Sequence, residues 1–448
     1  MTTTSRSHVV GLTTPCADDR AGDRGRCVEL ITGSSGAAPG ELLLSAPPFA
    51  KLLDPSLWSE RCHHCFRSAD ELSTPTQRAA LSRCGRCRAV YYCSRACQQK
   101  DWRPDHHAEC SRLAQLLALR LRKDQVSDVL LLGRVLRRAE SATDVSPSQL
   151  VWFADEDDVE ARLLSQLAIK LGFLDGDTPV ETAERMLRRF RCNNMSITDA
   201  TLRAIGAGCY PLGAMVNHSC SPKLRGHTSE MQFRALRAVA PDEELTHAYV
   251  DMALPRDTRQ RRLKARYGFD CQCPRCRPSH KRKQEEDNTD DRLLEADADG
   301  VTKAQWSLER RSKVDMLLQR LEASTQIDAV ENVLQELQRE LHPLNTHILQ
   351  ALSRLFSLQM EDAQVERAAA LKTGELIREV YDKVYPANHP MRGLHLFTLG
   401  DVSVLTNQRT QAARLYAEAR AILRVTHGPM HSLVQLLEAR CNELHPTI

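Results

Sequence analysis

The cysteines of this chain fall into clusters with short, regular spacings. Seven of the sixteen lie between Cys62 and Cys110, and three more lie between Cys271 and Cys276. No apolar stretch approaches the ~20 residues that span a bilayer, and the first residues lack a secretory apolar segment. We therefore expect a soluble intracellular protein, in which thiols stay reduced. Clustered thiols in that compartment indicate a metal, and zinc first.

The first cluster contains enough ligands for two tetrahedral zinc ions, since each structural zinc takes four. Its spaced pairs are Cys62 and Cys65, Cys84 and Cys87, Cys93 and Cys97, and His106 and Cys110. A stretch of this length buries little apolar core, so the metals would supply its folding free energy. His107 is an alternative to His106, whereas His63 and His64 are expected at the surface.

The second cluster is one ligand short of a closed site. Cys271, Cys273 and Cys276 supply three thiolates, and a structural zinc needs a fourth ligand. Cys220, in the stretch Asn217-His218-Ser219-Cys220, is the natural candidate if the fold brings it near. The sequence therefore predicts three zinc ions in total.

The rest of the chain shows the patterns of folded strands and helices. Apolar and basic residues alternate from 231 to 239, as in a half-buried strand, and leucines recur at helical spacing between 159 and 172. The chain after Val301 has a helical pattern to its end. Hydrophobic residues make up 42% of the chain, which is enough for real cores.

Two groups of residues resemble known domains. Tyr92-Cys93, Cys97, Trp102, His106 and Cys110 resemble the MYND zinc finger. The stretch from Asn217 to Cys276 resembles the SET domain of protein lysine methyltransferases. Their order is similar to that of the SET-and-MYND (SMYD) family, in which the finger is inserted into the SET domain. The resemblance covers nearly the whole chain.

The resemblance implies an α+β, multidomain fold. A SET-type β-fold would be split by a MYND finger and a helical insert, then followed by a zinc-bound post-SET segment and a helical, TPR-like C-terminal domain. The one clear repeat signature comprises Leu399-Gly400, Ala412, Tyr416 and Ala419. An ordinary helical bundle is the alternative. The expected boundaries are 8–57 (N-terminal SET lobe), 58–111 (finger), 112–190 (insert), 191–258 (catalytic core), 259–279 (post-SET segment), 280–303 (charged linker) and 304–448 (C-terminal domain).

The resemblance also implies a reaction and its residues. The family transfers a methyl group from S-adenosylmethionine to the ε-amine of a histone or non-histone lysine. By motif position, Tyr249 and Tyr267 would be catalytic, and Met195 would help to set the width of the lysine channel. The implied cofactor-binding residues are Asn217, His218, Asn193, Tyr249, Phe269, Arg24, Gly25 and Arg26. The implied zinc ligand sets are Cys62, Cys65, Cys93 and Cys97; Cys84, Cys87, His106 and Cys110; and Cys220, Cys271, Cys273 and Cys276.

The chain departs from the family pattern in three places, and the first two of them motivate an alternative. The loop around Gly25 has one well-placed glycine, Lys223 stands where the family has asparagine, and the insert has no tyrosine, its adjacent aromatics being Trp152 and Phe153. The alternative is a non-catalytic adaptor whose finger and helical repeats recruit protein partners. A zinc-finger transcription factor ranks third, because a net charge of +3 offers little for phosphate neutralisation.

The expected partners follow from the same resemblance. Besides a lysine-bearing substrate, the finger would bind proline-rich proteins. We expect a monomer without membrane association, and direct nucleic-acid binding is not expected at this net charge. The basic triplet at 281–283 fits an import signal or a solvated linker, so residence in the nucleus, the cytoplasm or both is consistent with the sequence.

Overall fold

The computed structural model describes residues 10–13, 27–30, 36–73, 79–139, 158–222, 224–227, 230–277, 291–362 and 367–444. Several predicted features lie outside the described residues. They are the loop residues Arg24, Gly25 and Arg26, then Trp152 and Phe153, Lys223, and the basic triplet at 281–283.

Short strands form the β part of the fold. Those described are β1 (Val10–Thr13), β2 (Cys27–Leu30), β3 (Leu42–Ala46), β4 (Ala50–Leu53), β5 (Ser82–Arg83), β6 (Tyr91–Tyr92), β7 (Asn194–Thr198), β8 (Ala204–Cys209), β9 (Asn217–His218), β10 (Leu224–His227), β11 (Met231–Ala235) and β12 (Thr246–His247). Strand β11 alternates buried and half-buried side chains, as the predicted pattern requires. It ends at Ala235, earlier than predicted, because the chain then leaves the sheet and pairs again only at Val239, with Ala37.

The strands pair in small sheets. Strands β10, β11 and β3 form one antiparallel sheet, and β4, β8 and β7 form another. Strands β9 and β12 run parallel, with Asn217 opposite Thr246 and His218 opposite His247. This parallel pair joins two stretches that the sequence separates by almost thirty residues, and it positions the candidate site.

Helices occupy much of the chain between residues 69 and 193 and again beyond residue 256. Those in and after the finger are α1 (Ala69–Leu72), α2 (Arg95–Asp101), α3 (His107–Glu109), α4 (Leu113–Ala118), α5 (Lys123–Ala139), α6 (Val159–Lys170) and α7 (Val180–Asn193), and α8 is Arg256–Tyr267. Helix α5 is the central one, since residues 129 to 135 are all buried. One apolar core contains residues of the finger, of the sheets and of α5 to α7.

The C-terminal region is helical, as predicted. It contains α9 (Leu308–Ala323), α10 (Ile327–Glu340), α11 (Thr346–Glu361), α12 (Arg367–Val384), α13 (Pro390–Leu405), α14 (Arg409–His427) and α15 (Ser432–Leu444). At Gly400 a Cβ would lie 2.4 Å from the Tyr416 ring, so the glycine permits the close approach of α13 and α14. These helices have cores of their own.

The segment predicted as a charged linker, 280–303, differs from that expectation where the structure describes it. From Asp291 onward it is packed against its surroundings, and Asp291, Leu294 and Asp297 are buried. Its buried carboxylates are paired with arginines, which offsets the cost of removing them from water. Within the described ranges, no helix combines the length and the apolar composition that a bilayer span requires.

Candidate metal centres and catalytic cavity

Within the described part of the chain, the predicted zinc ligands meet in three groups of four. The groups are Cys62, Cys65, Cys93 and Cys97; Cys84, Cys87, His106 and Cys110; and Cys220, Cys271, Cys273 and Cys276. In each group the ligand atoms all lie within 4.8 Å of one another. The groups interleave in the finger as the resemblance implied, and the prediction of three zinc-binding clusters is confirmed.

The spacing of the sulfur atoms fits zinc. A tetrahedral zinc ion with bonds of about 2.3 Å separates its sulfur ligands by roughly 3.8 Å. The thiols are free of disulfides. The Sγ–Sγ distances are 3.8 Å for Cys65–Cys93, 3.5 Å for Cys93–Cys97, 3.9 Å for Cys84–Cys110 and 3.6 Å for Cys220–Cys276.

His106, and not its neighbour His107, faces the second finger cluster. Its Nε2 lies 3.4 Å from Cys84 Sγ and 3.6 Å from Cys87 Sγ, whereas His107 is exposed. Burial lowers the pKa of His106 to about 4, so the ring is neutral, which is the form that binds metal.

The expectation that His63 lies at the surface is wrong. The side chain is buried, and its Nδ1 lies 3.0 Å from an Asp101 carboxylate oxygen that also accepts the Tyr92 hydroxyl at 2.7 Å. The carboxylate explains the burial, because it satisfies a polar ring inside the finger. Its neighbour His64 is half-buried.

The parallel pair β9 and β12 places Asn217 and His218 beside the segment that carries Tyr249. The side-chain amide of Asn217 donates to Glu244 at 2.9 Å, and the Tyr249 backbone N–H donates to His218 Nδ1 at 2.9 Å. Since Nδ1 accepts, we assign the ring proton of His218 to Nε2, which lies 3.2 Å from Cys220 Sγ. The third zinc cluster and the predicted catalytic tyrosine are therefore neighbours.

Aromatic rings surround Tyr249. Its ring centroid lies 4.8 Å from that of Tyr267, 5.1 Å from that of His218 and 6.5 Å from that of Phe269. Its hydroxyl donates to the Val216 carbonyl at 2.8 Å. Burial raises the pKa of Tyr267, so its hydroxyl stays protonated near neutral pH. The side chains predicted to bind cofactor and lysine thus occupy one region.

Tyr249 and Tyr267 line a cavity of about 270 Å³. Asn193 and Met195 also line it, at the end of α7 and in β7. Asn193 donates its side-chain amide to the Arg189 carbonyl at 2.7 Å, which fixes its orientation. Asn217, His218 and Phe269 are not part of this wall, and they lie behind Tyr249 on the side of the third zinc cluster.

The cavity includes a wall residue that no sequence motif marked. His389, in the loop between α12 and α13, lines it although it lies 140 residues beyond Tyr249. Its ring stacks on Tyr385 at 4.1 Å, and the Tyr385 hydroxyl donates to Asp251 at 2.9 Å. No sequence pattern marked His389, because the contact depends on how the C-terminal helices pack.

A second cavity, of about 820 Å³, shares the wall at residues 194–196 with the first. It is bordered by α5, α7 and the start of α6. Arg191 lies in its wall and pairs with Asp128 at 2.6 Å and with Asp158 at 3.1 Å. Strand β7 therefore borders two cavities, and the predicted channel residue Met195 lines both.

Comparison with known proteins bears on the family resemblance of this chain. A family model described as the MYND finger matches residues 62–110. The histone-lysine N-methyltransferase SMYD3 of Mus musculus is 27% identical, with 89% of this chain and 90% of the relative covered. The histone-lysine N-methyltransferase ASHR1 of Arabidopsis thaliana is 28% identical, with 90% and 91% covered. The N-lysine methyltransferase SMYD2 of Homo sapiens is 27% identical, with 88% and 91% covered.

These similarities extend far beyond the finger. They cover about nine-tenths of this chain and of each relative. The family resemblance predicted from the motif order is therefore supported by similarity to SMYD2 and SMYD3 along almost the whole chain.

Proposed function

We propose that this protein, of the SET-and-MYND type, is an S-adenosylmethionine-dependent protein-lysine N-methyltransferase. The observation that carries the proposal is the meeting of Tyr249 and Tyr267 at one cavity, directly beside the Asn217-His218 strand and the third zinc cluster. The relatives' printed names support the same activity, and they do not favour the adaptor alternative.

The cavity suits a lysine that must react as a neutral amine. A protonated ammonium has no lone pair, so the amine needs a low pKa, which an apolar surrounding provides by desolvation. Ala214, Met231, Phe233 and Met252 line the cavity, and no carboxylate is among its described lining residues. No fixed negative charge of that wall therefore holds the amine in its protonated form.

Tyr249 would orient the incoming amine. Its hydroxyl donates to the Val216 carbonyl, so the oxygen lone pairs are what it offers to an N–H of the substrate. Tyr267 lies against it and would define the adjoining wall. Aligning the amine with the methyl group supplies most of the rate acceleration in such a transfer, because little covalent chemistry is left to the protein.

The residues on the zinc side of Tyr249 would hold the cofactor. Asn217, His218 and Phe269 form a group there, and Asn193 adds an amide at the end of α7. The bound cofactor supplies the methyl group from its sulfonium. The loop of Arg24, Gly25 and Arg26 belongs to this proposal by family resemblance.

The finer architecture is part of the same proposal. The interleaved finger of residues 62–110, and the sheets whose strands come before and after it in sequence, support a split SET fold. The close contact of Gly400 with Tyr416 supports a TPR-like pairing of α13 and α14. The wall contributed by His389 supports a C-terminal domain that borders the substrate cleft.

The substrate is a protein lysine, histone or non-histone, and we propose proline-rich partners for the finger. We further propose a monomer that resides in the nucleus, the cytoplasm or both, without direct nucleic-acid binding. The net charge of +3 is consistent with protein substrates rather than nucleic acid.

The proposal is tested by a methyl-transfer assay. The zinc-loaded protein is incubated with labelled S-adenosylmethionine and a library of lysine peptides and histones, and methyl-lysine is identified by mass spectrometry. We expect incorporation on lysine. Absence of incorporation on every substrate, from folded protein with three bound zinc ions, would contradict the proposal.

A further inference from the structure

A buried guanidinium faces the sulfur atoms of the third zinc cluster. Arg259, in α8, is fully buried, with Nε 3.2 Å from Cys220 Sγ and Nη2 3.6 Å from Cys276 Sγ. Its Nη1 donates to the Leu254 carbonyl at 2.6 Å, and Nη2 donates to Asp291 at 2.7 Å. These contacts leave Arg259 in a single orientation, against the metal ligands.

The charge of the cluster requires such a neighbour. Four thiolates around zinc(II) leave a formal double negative charge, and these four cysteines are all buried. A buried charge without compensation is costly. Arg259 and Arg275 with one carboxylate, Asp291, place a net positive charge beside it.

A second donor reaches the same sulfur from the catalytic side. The His218 Nε2–H lies 3.2 Å from Cys220 Sγ, while His218 Nδ1 accepts the backbone N–H of Tyr249. Cys220 Sγ thus receives hydrogen bonds from Arg259 and from His218. Through His218, the position of this sulfur is connected directly to the backbone of Tyr249.

We propose that Arg259 is a positioning residue that holds the third zinc site by donating to its thiolates, and that this site, through His218, fixes the backbone at Tyr249. The zinc-holding part is independent of any activity. The second part rests on the function proposed above, because it concerns the residues assigned to cofactor and lysine. Neither motif position nor spacing marked Arg259, which sits among other arginines of α8.

Two variants test the role of Arg259. Arg259→Met removes every donor at similar volume, and Arg259→Lys keeps the charge without the planar fork. Asp291 remains paired with Arg275 in both, through contacts of 2.8 and 3.1 Å. Arg262→Met is the matched control, since Arg262 lies in the same helix and is exposed.

Zinc affinity is measured on the full-length, zinc-loaded protein by competition with a chromogenic chelator. Loss of an outer-shell partner typically weakens metal binding about 10- to 100-fold. We expect one of the three zinc ions to be weakened by that factor in both variants, with the two finger ions and the Arg262→Met protein unchanged. Wild-type affinity for all three ions in both variants would overturn the proposal.

The link to Tyr249 is measured by titrating S-adenosylmethionine at low and at saturating free zinc. We expect cofactor binding by the variants to be weak at low zinc and to recover when zinc fills the third site. Unfolding of both variants that excess zinc does not restore would overturn the proposal, because Arg259 would then act independently of the metal. Should the wild type bind no cofactor, the proposed function fails, and the zinc competition still decides the role of Arg259.

Discussion

Tyr249 is the single residue on which the proposed chemistry depends most. Replacing it by phenylalanine removes the hydroxyl that would orient the amine, and we expect kcat to fall by about 10²-fold or more. The variant loses one hydrogen bond, to the Val216 carbonyl, which costs about 1 kcal/mol of stability. Zinc content should be unchanged. Steady-state methyl transfer and thermal denaturation of the same preparation measure the two effects.

The matched control for Tyr249→Phe is Tyr416→Phe. Tyr416 donates to Asp401 at 2.6 Å within the C-terminal helices, far along the chain from the cavity. The Tyr416→Phe protein likewise loses one tyrosine hydrogen bond, and it should keep its methyl-transfer activity. Full activity in the Tyr249→Phe protein would rule out the role assigned to that hydroxyl.

Met195 is expected to influence how many methyl groups a lysine receives. It lines the cavity, and a lysine gains width with every methyl group added. Met195→Phe narrows the cavity and should shift products toward lower methylation states, as read from peptide mass spectra. Met252→Leu, a volume-conserving change in the same wall, should leave the distribution unaltered. If the distribution of methylation states is unchanged in Met195→Phe, residues other than Met195 set the width of the channel.

The residues predictable from the sequence were those whose chemistry appears as local spacing. Cys84 and Cys87, for example, are separated by two residues, which is the spacing of a zinc-ligand pair, and no tertiary information is needed to recognise it. His389 and Arg259 act through contacts with segments far away in the chain, so only the packed fold reveals them. His63 was misjudged for the same reason, since its partner Asp101 lies 38 residues away.

Among the elements, helix α5 and the finger are joined by a buried ion pair. Glu109 of α3 receives two hydrogen bonds from Arg134 of α5, at 2.8 and 2.7 Å, and one from Arg137 at 3.2 Å. Breaking a buried pair leaves an uncompensated charge, which costs about 3–5 kcal/mol. We expect Glu109→Gln to lower the free energy of unfolding by that amount, as measured by urea denaturation.

Glu160→Gln is the control for this prediction. Glu160 pairs with Arg122 at 2.7 Å and with Arg191 at 3.1 Å, and its own side chain is 38% exposed. An exposed pair is worth about 0–1 kcal/mol, so the same chemical change should have a small effect there. Equal stability losses in the two variants would mean that the finger is not docked through Glu109.

At the level of the elements, the sequence predicted those helices and strands whose apolar residues recur with a strong period. It did not predict where they end, how they pair or how they pack. The strand beginning at Met231 was found, although its end at Ala235 was not. The parallel pairing of β9 with β12 could be expected only from family resemblance, because a two-residue strand leaves no periodic signal. The packing of the segment after Asp291 was not predictable from charge alone, since its carboxylates are buried against distant arginines.

Across the whole molecule, the finger shares one apolar core with the sheets and the insert, whereas the C-terminal helices have separate cores. Removing zinc should therefore disturb more than the finger. We expect a strong chelator to abolish hydrogen-exchange protection in residues 62–110 and in α5, while α9 to α15 remain protected. Exchange confined to residues 62–110 would contradict this, because it would show a finger that unfolds independently.

The family resemblance was predictable because the finger motif and the SET motifs occur in order in one chain, and relatives that are similar over about nine-tenths of its length support it. The shape of the cavity was not, because it is assembled from β7, β11, the segment around Tyr249 and a loop of the C-terminal helices. Substrate choice depends on that assembled surface, which no single stretch of the sequence encodes.

The central claim is that the region around Tyr249 binds S-adenosylmethionine, and calorimetric titration of the zinc-loaded protein tests it most directly. We predict binding at one site per chain. Asn217 lies in the strand pair beside His218, so the Asn217→Ala protein should show a large loss of affinity for the cofactor. Absence of binding at high cofactor concentration, in folded protein with three zinc ions, would contradict the claim and favour the adaptor alternative.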